Sequence, residues 1–547
     1  MLLLAAAPAR AQLPARAQAA AAPRAPFTRA ERTAYRETST YADVVAFIDS
    51  LRRSGAAIHV DTLGRTTEGR WLPLVIASRP LVKTAAAARR LRRPIVYVQA
   101  NIHAGEVEGK EAMQAMLRDL VRAPRRNVLD SIVLVVIPIY NADGNEQFAA
   151  QDVNRTEQNG PESVGQRPNG MGLDLNRDYV KAEAPETRAS LAAFRVWDPD
   201  VFVDLHTTDG SFHGYALTYS ASLSPGAALA PYVRDSLLPE LRRRVRTRQR
   251  FETFDYGNFA IEYGADVNTD TTKQGWYTYD HRPRFGTNYY GLRNRVSILS
   301  EAYSHDPFER RVRATYAFVR ELLSLAAERG KAIRAMERRA DAAHGSPRGP
   351  WVPVRAALTR LPRTLPVIAE DLVRDSSGAR TQPGVPIGLR RSGRYRTINM
   401  PVYDRFDPTD SVQRPVGYVL DSTQRGTVAL LRRHGVHVEQ LTAPARLAAA
   451  TWSVDSVVRA RRPFQGHLEV RLVGHQSGVP DGAISPSGTY IVSTAQPLGA
   501  LAVYLLEPTT DDGLVTWNVV DPWLAVGQPY PVRRLLVPVT AARRAVP

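Results

Sequence analysis

The stretch Pro94 to Ala123, PIVYVQANIHAGEVEGKEAMQAMLRDLVRA, decides the fold. Pro94 to Ala100 is an apolar run of strand type, and from Val107 the apolar residues recur at helical spacing. A second apolar run, Ser131 to Ile139, follows. Strand, helix and strand at these lengths are the mark of a crossover in an α/β sheet. Between the first strand and the helix sit His103 and Glu106, with Glu108 just beyond. Charged groups at the end of a buried strand cost desolvation unless something pairs with them, which points to a metal or a substrate.

Outward from this unit the same pattern continues. Tyr41 to Gly55 reads as a helix ended by glycine, and strand-like runs lie at Ile58 to Thr62, Leu72 to Ala77, Val201 to Leu205, Tyr215 to Tyr219 and Val296 to Leu299. A long helix is expected around Ala227 to Arg248, and Arg310 to Ala343 reads as one long helix or two in series. The linker HGSPRGPWVPV then breaks the pattern, and beyond it come short β-branched runs separated by turns. The fold class expected is α/β, with a leader over residues 1–28, a catalytic unit over 29–345 and a β-rich second domain over 346–547.

Composition narrows the chemistry. A chain of 547 residues with 44% hydrophobic and 23% charged residues is a globular protein with more than one core. Its formal charge is 72 − 54 = +18, but the arginines come in scattered pairs such as Arg52-Arg53 and Arg432-Arg433. With no recognition motif and no long basic stripe, a nucleic-acid partner is not expected. There is no cysteine, so a transition-metal site has to be built from His, Asp and Glu. The first residues combine a short apolar stretch with Ala-x-Ala-like sites at ARAQ, without a basic start; this reads as a clipped secretory signal and implies a periplasmic or secreted protein. No later run is long enough for a transmembrane span.

Four segments carry the chemistry. His103 and Glu106, on a turn at the carboxyl end of a strand, are able to converge on one ion, while Glu108 falls on the helix side and serves the amino end of that helix. His206, in DPDVFVDLHTTDG, ends another apolar run and completes a His, Glu, His set that leaves a fourth position for water, as in a catalytic zinc site. Glu301, in SILSEAYSHD, follows a third strand with no basic neighbour in sequence and is placed to move protons beside such a metal. In GLDLNRDY, Arg177 offers a planar fork for a carboxylate, Asn176 an amide donor, and Asp174 an acid for the far ring nitrogen of His103.

Together these segments resemble the zinc carboxypeptidases of the carboxypeptidase A type, and LGRTTEGRWLPL (Leu63 to Leu74) and YNADGNEQF (Tyr140 to Phe148) are similar to two further landmarks of that family, in its order. The resemblance spans about residues 35 to 335. It implies a mixed central sheet flanked by helices, one Zn2+ per chain on His103, Glu106 and His206, Glu301 as general base and acid, and Asn176 with Arg177 as the clamp for the terminal carboxylate of a peptide substrate. It also implies an arginine for the oxyanion. Arg155 and Arg167 are both candidates, and Arg155 follows the NADG turn at a distance closer to that of the family. The tyrosine that caps the family's substrate is one of Tyr277, Tyr279, Tyr289 and Tyr290, and nearby Arg282 and Arg284 read as structural. His434, His437, His467 and His475, in the second domain, read as surface or packing residues.

The activity expected is therefore a metallocarboxypeptidase that hydrolyses the C-terminal peptide bond. Two rivals stand beside it: a zinc amidase or deacylase acting on a small acylated amino acid or a cell-wall peptide, and a non-catalytic protein that binds a surface polymer.

Overall fold

The carboxyl ends of three neighbouring parallel strands meet at one edge of an eight-stranded sheet, and the rest of the fold holds that edge in place. The computed structural model describes residues 25–259, 275–343, 351–377, 384–385, 387–478 and 484–546. The sheet strands are β1 (Ile58–Arg65), β2 (Trp71–Ala77), β3 (Ile95–Ala100), β4 (Val133–Ile137), β5 (Val201–Thr207), β6 (Leu217–Ala221), β7 (Thr253–Asp255) and β8 (Val296–Ala302). Their spatial order is β1-β2-β4-β3-β5-β8-β6-β7. The central four, β4, β3, β5 and β8, run parallel, β1 and β2 join their neighbours antiparallel, and β6 runs antiparallel to β8 and parallel to β7, so the sheet is mixed.

Every residue of β3, β4, β5 and β8 is buried, because helices cover both faces of parallel strands. That is why these strands read as unbroken apolar runs. The main helices are α1 (Tyr41–Arg53), α2 (Glu108–Arg122), α3 (Pro185–Trp197), α4 (Gly286–Leu292) and α5 (Phe308–Ala343). Thr40 and Asp43 form a capping box at the start of α1. The expected long last helix is a single one, α5, and it packs on α2. The strand β7 escaped the sequence reading, being three residues long at the sheet edge.

Register sets the geometry of the edge. Ala100 of β3 pairs with Leu205 of β5, and His206 of β5 pairs with Glu301 of β8. The loop after β3, the end of β5 and the end of β8 therefore open onto one place, where open α/β sheets bind their ligands.

After α5, the chain returns to strands. Trp351–Arg360 pairs antiparallel with Val402–Gln413, which runs parallel to Trp276–Tyr277, so the two parts of the chain share one four-stranded sheet. Leu365–Arg374 and Leu389–Met400 make a hairpin, and seven further strands form a sheet accompanied by the helices Arg425–Arg433 and Gly499–Leu506. The apolar core is continuous across both parts, from Val96 and Val203 to Leu431 and Leu501. Of the expected leader, residues 1–24 lie outside the described residues. Among the described residues no helix is long and apolar enough to cross a membrane.

Candidate active site

The turn after β3 is built by Asn101. Its φ of 66° lies in the left-handed region, which asparagine tolerates better than most residues, and its side-chain amide donates to the carbonyls of Ala104 (3.1 Å) and Glu106 (3.2 Å). The chain is thereby folded back so that His103 and Glu106 face one point. Gly105 is required by close approach: a Cβ there would lie 2.6 Å from Cγ of Arg155 and 2.9 Å from the Gly165 carbonyl oxygen.

His103 Nδ1 lies 2.9 Å from Glu106 Oε1, and His206 Nδ1 lies 3.0 Å from Glu106 Oε2. The three donor atoms all fall within 4.8 Å of one another. A tetrahedral ion with bonds of about 2.1 Å sets its ligand atoms about 3.4 Å apart, so the two His–Glu pairs would each open by about half an ångström to accommodate it. The far nitrogen of each ring meets an acid, as in the carboxylate–histidine pairs that orient metal ligands. His103 Nε2 is 3.1 Å from Asp174 Oδ1, as the sequence suggested. His206 Nε2 is 3.1 Å from Asp204 Oδ2, a charge contact without the alignment of a hydrogen bond. Asp204 went unnoticed in the sequence; its signal was a spacing of two on a strand, which puts it on the same face as His206.

These donors suit a zinc ion: two imidazoles and a carboxylate, all buried, with the imidazoles fixed from behind. Burial would raise the Glu106 carboxyl, but His103 and Arg155 outweigh it and hold it well below the usual range. Glu301 behaves oppositely. Burial pushes its carboxyl well above the ordinary value and Glu106 and Asp209 add to the rise, while His206 works against it. Glu301 shares the cleft with His103, Glu106, His206, Asn176 and Arg177.

Asn176 and Arg177, expected to clamp a carboxylate, sit on a short turn, Leu175–Arg177, started by Asp174, whose Oδ1 accepts from the Asn176 N–H at 2.9 Å. Asn176 Oδ1 in turn accepts from the Gly286 N–H at 2.8 Å, which leaves its NH2 as the donor end. The Arg177 guanidinium stacks 4.0 Å over Phe285 and donates to the Asn176 carbonyl at 2.9 Å. Burial lowers the Arg177 pKa, Arg167 and Arg284 add to the fall, and Asp174 opposes it.

Of the two arginines considered for the oxyanion, Arg167 lines the cleft and Arg155 does not. Arg155 is buried behind Glu106, donating to its Oε1 at 3.2 Å and to the carbonyls of Thr207 and Thr208 at 3.4 and 3.2 Å. Arg167 is held by Asp174 Oδ2 at 2.9 Å, with 35% of its side chain still open to solvent. Chain distance from the NADG turn favoured Arg155 because loop spacing carries no direction. Among the four tyrosines, Tyr289 and Tyr290 are buried in an aromatic cluster, Tyr277 stacks on Tyr403, and Tyr279 lines the cleft beside Tyr256. Tyr256, Phe285 and Thr287 are cleft residues that no local sequence pattern singles out. Glu108 begins α2, but its carboxylate goes to the Thr207 hydroxyl and to Arg311.

The remaining polar residues pack. Arg282 pairs with Asp280, and Arg284 with Asp512 and Glu469. His434 is buried, with Nδ1 2.7 Å from the Tyr289 hydroxyl and Nε2 2.9 Å from the Val180 carbonyl. His213, His281 and His305 stand outside the cleft lining.

Residues 44–286 match the family described as zinc carboxypeptidase; the match ends before β8, which carries Glu301. Curated relatives include Carboxypeptidase 2 of Trichophyton equinum, 22% identical over 86% of this chain and 81% of that protein. Carboxypeptidase 2 of Trichophyton rubrum is 22% identical over 89% of this chain and 85% of its own length. Among solved structures, the carboxypeptidase A of Helicoverpa armigera aligns with a TM-score of 0.38 at 16% identity, over 54% of this chain and 75% of that one. A metallo-carboxypeptidase from Pseudomonas aeruginosa aligns with a TM-score of 0.37 at 17% identity, over 54% and 70%. The chain carries a zinc carboxypeptidase domain over residues 44–286.

Proposed function

We propose that this chain is a metallocarboxypeptidase that hydrolyses the last peptide bond of a substrate bearing a free C-terminal carboxylate. One observation carries the reading: the Asn176–Arg177 pair opens onto the same cleft as His103, Glu106, His206 and Glu301. A cation fork beside the reacting groups selects a chain end rather than an internal bond.

One zinc ion would be held by His103, Glu106 and His206, with Asp174 and Asp204 orienting the two rings. Zinc bound there supplies Lewis acidity, lowering the pKa of a water and drawing electrons from the scissile carbonyl. Glu301 takes the proton of the attacking water and returns it to the departing nitrogen, a cycle suited to a buried carboxyl whose affinity for protons is raised. Arg167 faces the oxygen on which negative charge develops, and Arg155 secures Glu106 from behind. Arg177 and Asn176 take the terminal carboxylate, and Tyr279 is the tyrosine placed to cover the bound residue. The cleavage-site pattern at ARAQ supports a periplasmic or secreted setting.

The test compares one peptide as free acid and as C-terminal amide, on enzyme of measured zinc content. An amide leaves the buried guanidinium without its partner, costing about 2–5 kcal/mol. The acid should be cleaved at least thirtyfold better, and Arg177→Ala should narrow the gap. Equal cleavage of both by the wild type would end the carboxypeptidase reading and leave an amidase or endopeptidase. The comparison is run at one ionic strength, since a net charge of +18 attracts any anionic peptide.

A further inference from the structure

We infer that the C-terminal part of the chain positions the carboxylate clamp, and that Gln465 and Asp512 are its positioning residues. The inference rests on the carboxypeptidase reading above.

Two separate routes lead from the C-terminal part to the clamp. The first runs through a tight loop closed by Phe464 and His467, whose backbones exchange hydrogen bonds of 2.8 and 3.0 Å. Gln465 sits at the tip, with φ 49°, and its Oε1 accepts from the Asp174 N–H at 2.9 Å. Asp174 is the residue on which the clamp turn is hung: its carboxylate receives the Asn176 N–H, Arg167 and His103. Gln465 thus fixes the Asp174 N–H, while the Asp174 carbonyl accepts from the Arg177 N–H at 3.0 Å. The loop itself is anchored, since His467 lies 3.0 Å from Asn518 Oδ1 and 3.0 Å from Glu183 Oε1.

The second route runs through Arg284, which is 2% exposed. Its backbone N–H donates to Asp512 Oδ2 at 2.7 Å, its Nε to Asp512 Oδ1 at 2.8 Å and its Nη1 to Glu469 Oε1 at 2.7 Å. Asp512 also accepts from the Trp517 indole N–H at 3.0 Å, and the guanidinium lies 4.6 Å over that ring. The next two residues touch the clamp directly, Phe285 beneath Arg177 and Gly286 on Asn176. Asp512 therefore pins the backbone from which both contacts are made.

The arrangement matters because Arg177 has no close ion pair among the described residues: Asp174 Oδ2 is 3.8 Å away, and the Phe285 face and the Asn176 carbonyl hold the guanidinium. A clamp ordered before substrate arrives does not spend binding free energy on ordering itself. Loosening either route should weaken capture of the terminal carboxylate and leave the chemistry alone.

The experiment uses the full-length zinc-loaded enzyme, with Gln465→Asn and Glu469→Gln as variants and the acid and amide peptides as substrates. Asparagine tolerates the left-handed backbone at 465 but falls a methylene short of the Asp174 N–H. Glu469→Gln removes a charge from Arg284 at a partly open position, so it reports even if the loop variant folds poorly. For the free acid, KM should rise about fivefold or more in Gln465→Asn, the scale of one lost hydrogen bond, with kcat within about twofold and zinc content unchanged. Glu469→Gln should move KM in the same direction, and the preference for acid over amide should shrink in both. Unchanged KM with a lowered Tm would overturn the inference, since the loop would then only pack. A fall in kcat and zinc content at constant KM would overturn it too, by placing the effect on His103. If the wild type cleaves acid and amide alike, the carboxypeptidase reading itself has failed, and this inference fails with it.

Discussion

Glu301 stands directly opposite His206 across the parallel ladder of β8 and β5, so the residue proposed to move protons and a residue proposed to hold metal share one register position. Neither depends on a loop for its placement. Glu301→Gln keeps size and shape but cannot carry the proton. It should retain zinc and Tm and lower kcat by a hundredfold or more, the scale of general acid–base catalysis. Steady-state kinetics with metal analysis of the same preparation decides it, and near wild-type turnover would make Glu301 structural.

Metal affinity should depend on the two acids behind the imidazoles as well as on the three donors. His206→Ala should leave the purified protein without stoichiometric zinc. Asp204→Asn and Asp174→Asn should retain it with affinity weakened about 10–100-fold, the usual effect of removing an orienting partner. Chelator titration followed by readdition of zinc measures this. Full metal retention in a His103→Ala, His206→Ala double variant would place the site elsewhere.

What could be read in the sequence was whatever lies on the central strands. His103, His206 and Glu301 each follow an apolar run that ends at the sheet edge, and the parallel strands, buried on both faces, left those runs unbroken. Asp204 was hidden by the same uniformity, an acid inside a run where alternation is absent. Tyr256, Tyr279 and Phe285 come from irregular segments, where chain order carries no direction, and for that reason chain distance favoured Arg155 over Arg167 without telling which one lines the cleft. Gln465 meets Asp174 across 291 residues, a contact that no local pattern encodes.

The two arginines should separate cleanly in experiment. Arg167→Ala removes a donor at the cleft and should cost about 10²–10³ in kcat with zinc and Tm nearly unchanged. Arg155→Ala strands Glu106 as a buried carboxylate with one partner fewer, which typically destabilises by about 3–5 kcal/mol. Its effect should therefore appear in Tm and zinc retention. Should Arg155→Ala instead lose only kcat, the roles assigned to the two would be exchanged.

The junction between the two parts of the chain should make stability fall in mild acid through His434. Its ring is held neutral: Nε2–H donates to the Val180 carbonyl, and Nδ1 accepts from the Tyr289 hydroxyl. Burial pulls the imidazole down to about 3, Val180 opposes the shift, and Arg293 and Arg433 add to it. The folded value lies below the unfolded value of about 6.5, so the unfolded chain binds the proton first. The contribution is thus fully present above pH 6.5 and is lost as pH falls from there toward 3, at about 1.4 kcal/mol per pH unit. His213, drawn down to about 3, and His305, drawn down to about 4, act in the same sense. His434→Gln cannot titrate. Between pH 6.5 and 5.0 it should lose about 2 kcal/mol less unfolding free energy than the wild type, although it starts from a lower value. Denaturant unfolding of the zinc-loaded proteins at the two pH values measures the difference, and loss of metal ligands to protons affects both alike. Parallel acid limbs in the two proteins would show that His434 is protonated already in the fold and that its contact with Tyr289 is not the neutral one described.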